Sequence, residues 1–169
     1  MRRPEVDFEE LLITLPPERT KNGRPHEVPL SKPALAILKS RPARAGRDFM
    51  FGDGPRNGND RQGGFQGWSK SKAALDKQAT IGPWRLHDIR RTVATRMAEL
   101  GVQPHVIEAV LNHISGHKAG VAGVYNRSSY AAEKRAALEL WGKHVQLLID
   151  GQKQGDGQRV VKFPARAGK

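Results

Sequence analysis

Apolar residues recur at helical spacing in two adjacent segments of the 169-residue chain. In the first segment they lie three or four residues apart, as one face of a helix requires, at Leu86, Ile89, Val93, Met97 and Leu100. Gly101 suits the position just after such a helix, and Pro104 suits the first turn of another. The second helix would bury Val106, Ile107, Val110 and Leu111. The pattern therefore predicts two helices joined by a short turn.

A β-hairpin is predicted near the amino terminus. Residues Leu11–Leu15 are β-prone and end at two prolines, and His26–Leu30 would form the returning strand. Asn22 and Gly23 between them form a turn signal. The prolines beside and within the strands favour an edge position. A helix then begins after Ser31, which suits the N-cap.

Two further helices are predicted. One runs from Trp68 to about Gln78, with Trp68 and Leu75 expected to face inward, and a long one runs from Ser129 or Tyr130 to about Ile149. The expected fold class is α+β and mainly α, with a small antiparallel hairpin. Residues 1–149 would form one domain, and residues 150–169, rich in Gly, Gln and Lys, are expected to be a disordered basic tail.

The composition indicates a polyanionic partner. Lys and Arg total 29 against 17 Asp and Glu, which gives a formal charge of +12. The absence of cysteine excludes disulfides, thiolate zinc sites and a cysteine nucleophile. We find no apolar run long enough to span a membrane and no signal peptide, so we expect a cytoplasmic protein that acts away from membranes.

Several side chains have the chemistry to act on a phosphate ester. His87 and Arg90 lie three apart at the start of a predicted helix and would share a face. An arginine can bind phosphate through two parallel donors, and a histidine exchanges protons near neutral pH. Tyr125 follows a glycine-rich connection, and its phenol would need nearby cations or a base to become a nucleophile. Each residue alone fits an ordinary surface or half-buried position equally well.

The order of four separated motifs resembles the catalytic domain of the tyrosine recombinases, the phage-type integrases. The motifs are Thr20–Arg24 followed by Val28–Leu30, then Leu86–Thr92, Leu111–His113 and Val124–Arg127. The resemblance covers about residues 1–148.

The resemblance implies a role for each matching residue. Tyr125 would attack a DNA phosphodiester and form a 3′-phosphotyrosyl link, while Arg90 would stabilise charge on the phosphate. His113 would donate a hydrogen bond to the same phosphate, and His87 would assist proton transfer. Lys21 would protonate the leaving 5′ oxygen. This chemistry implies no metal and no other cofactor, and its partners would be a double-stranded DNA attachment site and other recombinase subunits.

The chain departs from the family pattern in three places. Asn112 stands where the family usually has glycine before the histidine, and the segment between His113 and Tyr125 is longer than usual. A further active-site arginine would lie on a helix before the hairpin, and neither Arg2 nor Arg3 matches it. We therefore expect a truncated catalytic domain, without the amino-terminal DNA-clamping domain, whose 169 residues alone have weak or no strand-cleavage activity.

Three alternatives stay open. The first is a plain helix-turn-helix DNA-binding module, although its second helix carries few side chains suited to bases. The second is a metal site from His105, His113 and His117, whose spacing is poor for that purpose. The third is an inactive integrase remnant that still binds DNA.

Other basic residues are candidates for contacts with the DNA backbone. They lie near the motifs or in the polar segment that follows residue 52, and they are Arg24, Arg91, Arg56, Arg61, Lys70 and Lys72.

Overall fold

The computed structural model describes residues 1–43, 48–52, 64–79, 81–113 and 130–154. Tyr125, Arg56 and Arg61, which the sequence singled out, lie outside these residues, as does His117. The described part is mainly helical with a small antiparallel sheet, so the predicted fold class is confirmed.

The sheet has three strands rather than the two of the predicted hairpin. Strands β1 (Val6–Asp7), β2 (Leu12–Leu15) and β3 (His26–Pro29) lie in that order and pair antiparallel. In the β2–β3 register Ile13 faces Val28 and Leu15 faces His26. The strand β3 lies at an edge, where Pro29 is tolerated because one side of the strand needs no ladder partner.

The described residues form five α-helices, namely α1 (Lys32–Lys39), α2 (Trp68–Ala79), α3 (Leu86–Glu99), α4 (Pro104–Val110) and α5 (Ala131–Gln154). Ser31 occupies the N-cap of α1 as predicted, but its hydroxyl makes no capping hydrogen bond. The helix α5 ends five residues beyond the predicted Ile149. No helix in the described ranges is long and apolar enough to cross a bilayer.

The turn between α3 and α4 forms as the sequence predicts. Gly101 follows the last residues of α3 with φ +85°, the left-handed conformation that glycine adopts without strain. The N–H groups of Gly101 and Val102 donate to the carbonyls of Ala98 and Met97, both at 3.0 Å. This is the Schellman arrangement, and Pro104 then opens α4.

Two buried clusters form the core. One lies between the sheet, α1 and the segment around Met50, and its buried members are Val6, Ile13, Leu30, Leu38 and Met50. The other lies among α3, α4 and α5, and its buried members are Met97, Val106, Ile107, Val110 and Ala137. The helix α5 contacts α1 and β3 on one side and α3 and α4 on the other, so it joins the two clusters.

The prediction for α2 is right in its bounds and wrong in its packing. Trp68 is 61% exposed and Leu75 is 48% exposed, and no α2 side chain is buried against the described part of the chain. The two apolar residues lie seven apart, with Lys72 and Asp76 on nearby positions. The apolar stripe is therefore too sparse to define a face that packs into a core.

Candidate functional site

A large cleft in the described part of the chain lies between the sheet and the α3–α4 pair. It is open to solvent and encloses about 890 Å³. The segment after β2 forms one wall, and α3 and the end of α4 form the other. Four of the five predicted catalytic residues line it, namely Lys21, His87, Arg90 and His113.

The first turns of α3 supply three of the cationic or titratable side chains. His87, Arg90 and Arg91 all line the cleft and are exposed. Asp88 accepts a hydrogen bond from the N–H of Arg85 at 2.9 Å, which holds the start of this helix. That hydrogen bond, followed by the charge of Arg91, keeps the pKa of Asp88 below its ordinary value. The carboxylate therefore stays ionised beside the cleft.

Arg90 connects α3 to the end of α4. Its Nη2 donates to the carbonyl oxygen of Leu111, the C-cap residue of α4. Carbonyls in the last turn of a helix have no partner within the helix and carry partial negative charge, so a guanidinium is a favourable partner. The bond engages one of the five N–H donors of Arg90.

Lys21 lies in the connection between β2 and β3, and its neighbours hold the turn closed. Asn22 Oδ1 accepts a hydrogen bond from the N–H of Arg24 at 3.1 Å, and Gly23 has φ +64°. The Thr20 hydroxyl lies 2.9 Å from the carbonyl oxygen of Pro17 and 2.7 Å from that of Arg24. The side chain of Lys21 is exposed at the rim of the cleft.

His113 follows the end of α4. Its backbone N–H donates to the Glu108 carbonyl at 2.9 Å, which fixes its position relative to the helix. Asn112, just before it, has φ +51°. Glycine, which the resemblance led us to expect here, adopts such a conformation at no steric cost, and asparagine is among the best substitutes.

Sequence reasoning gave no role to His26, which also lines the cleft. Burial is the main cause that lowers its pKa below the ordinary 6.5, and the charges of Lys134 and Arg90 add to the effect. The same charges would attract an anion. The sequence around His26, at the start of β3, does not indicate a cleft residue, because Lys134 approaches it only through the packing of α5.

A second overlooked residue at the cleft is the cation Arg19, which is already paired. Its Nη1 lies 3.1 Å from Oε1 of Glu5, whose side chain is only 8% exposed. The pair joins the segment after β2 to the amino-terminal turn, so Arg19 has a structural role beside the cleft.

The basic residues proposed for DNA contact separate into two groups. Arg91 lines the main cleft, and Arg24 lines a smaller adjoining cavity of about 300 Å³. Lys70 and Lys72 lie on α2 and line neither of these cavities. The Nζ of Lys72 is 2.7 Å from Asp76 Oδ2 and 4.6 Å from the centre of the Trp84 ring, so its charge is already compensated.

The structure also bears on two of the alternatives. The helix α4 buries Val106, Ile107 and Val110 in the second core cluster, and it has only seven residues. This leaves little of it to enter a DNA groove, as a recognition helix must. Among the described residues no group of three His, Cys, Asp or Glu side chains is arranged to hold a metal.

Comparison with known proteins gives a consistent result. The model of the phage integrase family matches residues 1–131. The chain is similar to prophage integrase IntA of Escherichia coli K12, with 33% identity over 151 residues that cover 89% of this chain and 35% of that protein. It is also similar to prophage integrase IntZ of the same strain, with 31% identity over 152 residues, 86% of this chain and 35% of that protein. The chain thus spans about a third of the length of these relatives. No solved structure matches it significantly.

Proposed function

Because the chain belongs to the phage integrase family, we propose that its cleft binds a DNA phosphodiester and catalyses the strand cleavage and rejoining of site-specific recombination. The observation that carries the proposal is the convergence of Lys21, His87, Arg90 and His113 on one open cleft. These residues come from three separate motifs, up to 92 positions apart in the sequence (113 − 21). A surface that is basic but has no catalytic role would not require these four residues to lie together.

The proposed reaction is a transesterification at phosphorus. The Tyr125 phenol oxygen forms a bond to the phosphorus, the bond from phosphorus to the 5′ oxygen breaks, and a 3′-phosphotyrosyl link results. The leaving 5′ oxygen takes a proton from the Lys21 ammonium. Rejoining reverses these steps, so the chain is regenerated. His87 is the proposed partner for the proton that the phenol releases.

Charge stabilisation would come from side chains on both sides of the phosphate. In the transition state negative charge increases on the non-bridging oxygens. Arg90 and His113 would donate hydrogen bonds to them, and the bond from Arg90 to the Leu111 carbonyl holds this arginine beside the end of α4. Donors held in place before the reaction cost no reorganisation when charge develops.

The proposed partners follow from the same chemistry. The substrate would be a double-stranded DNA attachment site, and recombination of two sites would require further recombinase subunits. Arg24 and Arg91 would contact the DNA backbone near the cleft, which positions the duplex without reading its sequence. Lys70 and Lys72 remain proposed contacts away from the cleft, and Arg56 and Arg61 remain proposed contacts that lie outside the described residues.

A trapping experiment tests the proposal. Duplexes with a randomised central sequence carry a nick, so that cleavage near the nick releases a short strand and prevents rejoining. We expect wild-type protein to give a weak covalent protein–DNA band on a denaturing gel, and Tyr125→Phe to give none. Sequencing of the trapped DNA would then identify the preferred site.

Two results would contradict the proposal. An equal band with Tyr125→Phe would exclude this tyrosine as the nucleophile. No band from the wild type, together with a salt-sensitive DNA complex in a native gel, would favour a chain that binds DNA without cutting it.

A further inference from the structure

The backbone at Asn112 needs a residue that accepts the left-handed conformation. Asn112 is the first residue beyond the α4 C-cap, and its N–H donates to the Ala109 carbonyl at 3.3 Å. Together with the bond from His113 to Glu108, this forms a Schellman motif at φ +51°. Glycine would satisfy the backbone without strain, so the asparagine side chain calls for a separate explanation.

The side chain of Asn112 contacts the hairpin, 90 residues away in the sequence. Asn22 Nδ2 donates to Asn112 Oδ1 at 2.8 Å and approaches the Asn112 carbonyl oxygen at 3.4 Å. Both side chains are partly buried, which shields these bonds from water. Asn22 is itself fixed, because its Oδ1 accepts the N–H of Arg24.

Each member of this amide pair is the sequence neighbour of a residue that lines the cleft. Lys21 precedes Asn22, and His113 follows Asn112. Lys21, Gly23 and Arg24 are all exposed, so little burial holds this turn against the helical wall. A lysine on a mobile turn would lose conformational entropy when it binds a phosphate. Because this turn is already bound to α4, less entropy remains to be lost when the phosphate binds.

We propose that the Asn22–Asn112 amide pair positions Lys21 opposite His113, so that the proton donor and the phosphate-binding histidine approach one phosphate together. Asn22 and Asn112 are then positioning residues, which act through their neighbours and need no contact with the DNA. The role of the pair in catalysis rests on the proposed function, whereas the attachment of the turn to α4 can be measured without DNA.

Limited trypsin digestion tests the attachment. Trypsin cuts after Lys21, and the rate reports how often the turn opens. We expect Asn112→Gly, which preserves the backbone conformation and removes the amide, to speed this cut about three- to tenfold, the effect of one lost hydrogen bond. Asn112→Asp retains an acceptor for Asn22 Nδ2 and should restore most of the protection.

Cleavage after Lys143, on the exposed side of α5, is the matched control. It should change much less in Asn112→Gly, because glycine adopts the left-handed backbone without strain, which offsets the lost hydrogen bond in the stability of the whole fold. An unchanged rate after Lys21 would overturn the proposal. So would equal acceleration at both sites, since that would indicate general unfolding.

A second measurement asks whether the pair acts through Lys21. A duplex with sulfur in place of the leaving 5′ oxygen needs no proton donor, because a thiol ionises near pH 8.5. We expect Asn112→Gly to slow covalent adduct formation on the oxygen duplex and to leave the rate on the sulfur duplex unchanged. Equal slowing on both would overturn the assignment to Lys21. If wild-type protein forms no adduct with either duplex, the proposed function fails, and the trypsin result still decides whether the amide pair attaches the turn.

Discussion

Arg90 contacts the end of α4 and the cleft at the same time. The bond to the Leu111 carbonyl restrains the guanidinium before any phosphate arrives. A planar group with several donors can serve two acceptors, and an ammonium on a flexible stem is a poor replacement. Arg91, one residue along, is 77% exposed and lies 3.4 Å from Asp88, so it is a natural comparison.

We therefore expect Arg90→Ala to slow covalent adduct formation about 10²- to 10³-fold, as for the loss of one preorganised donor to a charged transition state. Arg90→Lys should recover little of this. Arg91→Ala is the matched control and should cost less than about tenfold, because an exposed contact to the DNA backbone contributes less. The measurement is the single-turnover rate on the trapping duplex, and equal losses at both positions would contradict a special role for Arg90.

His26 makes the stability of the fold depend on pH. Burial and the neighbouring charges of Lys134 and Arg90 lower its pKa, while a hydrogen bond to the Val110 backbone and the charge of Glu27 oppose that shift. The unfolded chain, with an ordinary histidine pKa of 6.5, therefore takes up a proton at a higher pH than the folded chain does. Below that pH the unfolded state is favoured relative to the folded one.

The expected outcome is a free energy of unfolding that falls as pH drops below 6.5 and stops falling from this cause below the lowered pKa of His26. His26→Gln, which cannot gain a charge, should reduce that fall. Urea denaturation at a series of pH values measures it, and His144→Gln on α5 serves as the control. A His26→Gln curve that parallels the wild-type curve would exclude His26 as the source.

The helix α5 holds the two core clusters together through contacts along its amino-terminal half. Lys134 is buried, and its Nζ donates to the Glu27 carbonyl at 2.8 Å, while Arg135 donates to the Glu10 carbonyl at 3.0 Å. About two turns further on, Gly142 packs against the start of α1. A Cβ at this position would lie 2.8 Å from Ser31 Cβ, which no relaxed structure allows. Glycine is required here by the close approach of the two helices.

The same substitution at two glycines of α5 should therefore have opposite effects. Gly142→Ala should destabilise the protein by about 1–3 kcal/mol, because overpacking outweighs the better helix propensity of alanine. Gly151→Ala meets open space and should stabilise it by up to about 1 kcal/mol. Urea denaturation followed by circular dichroism measures both changes. A stabilising Gly142→Ala would show that α1 and α5 do not approach so closely.

Elements with a dense periodic pattern of apolar residues were predictable from the sequence. The packing or presence of elements with few apolar residues was not. The stripe from Leu86 to Leu100, with Gly101 and Pro104 after it, predicted α3, α4 and their turn almost to the residue. Even so, Leu86 and Ile89 of that stripe are 46% and 52% exposed, because the second core cluster reaches along α3 only as far as Val93. The two-residue strand β1 was too short to leave a periodic signal.

The cleft itself could not be derived from local pattern. Its walls belong to the two different core clusters, and the packing of α5 against both brings them together. The family's motif order anticipated that Lys21, Arg90 and His113 meet. It did not anticipate His26 or the Asn22–Asn112 amide pair, since these contacts depend on residues far apart in the sequence.

The contribution of the net charge of +12 to DNA binding depends on where the cations lie. Lys21, Arg90 and Arg91 line the cleft, whereas Lys72 is bound to Asp76 and to the face of Trp84. A cation that displaces counterions from DNA contributes to the salt dependence of binding, and one already paired contributes little. The proposed contacts can therefore be ranked by the salt dependence that each one removes.

We expect the binding constant for a duplex to fall linearly on a plot of log K against log salt concentration, from about 50 to 200 mM. Lys21→Ala should reduce the steepness of that slope by about 0.9, the value for one lost phosphate contact. Lys72→Ala removes the same formal charge and should change the slope much less, since Asp76 loses its partner at the same time. Fluorescence anisotropy with a labelled duplex measures both variants. Equal changes in slope for the two lysine variants would mean that binding responds to net charge alone. That result would contradict the cleft as the site of DNA binding.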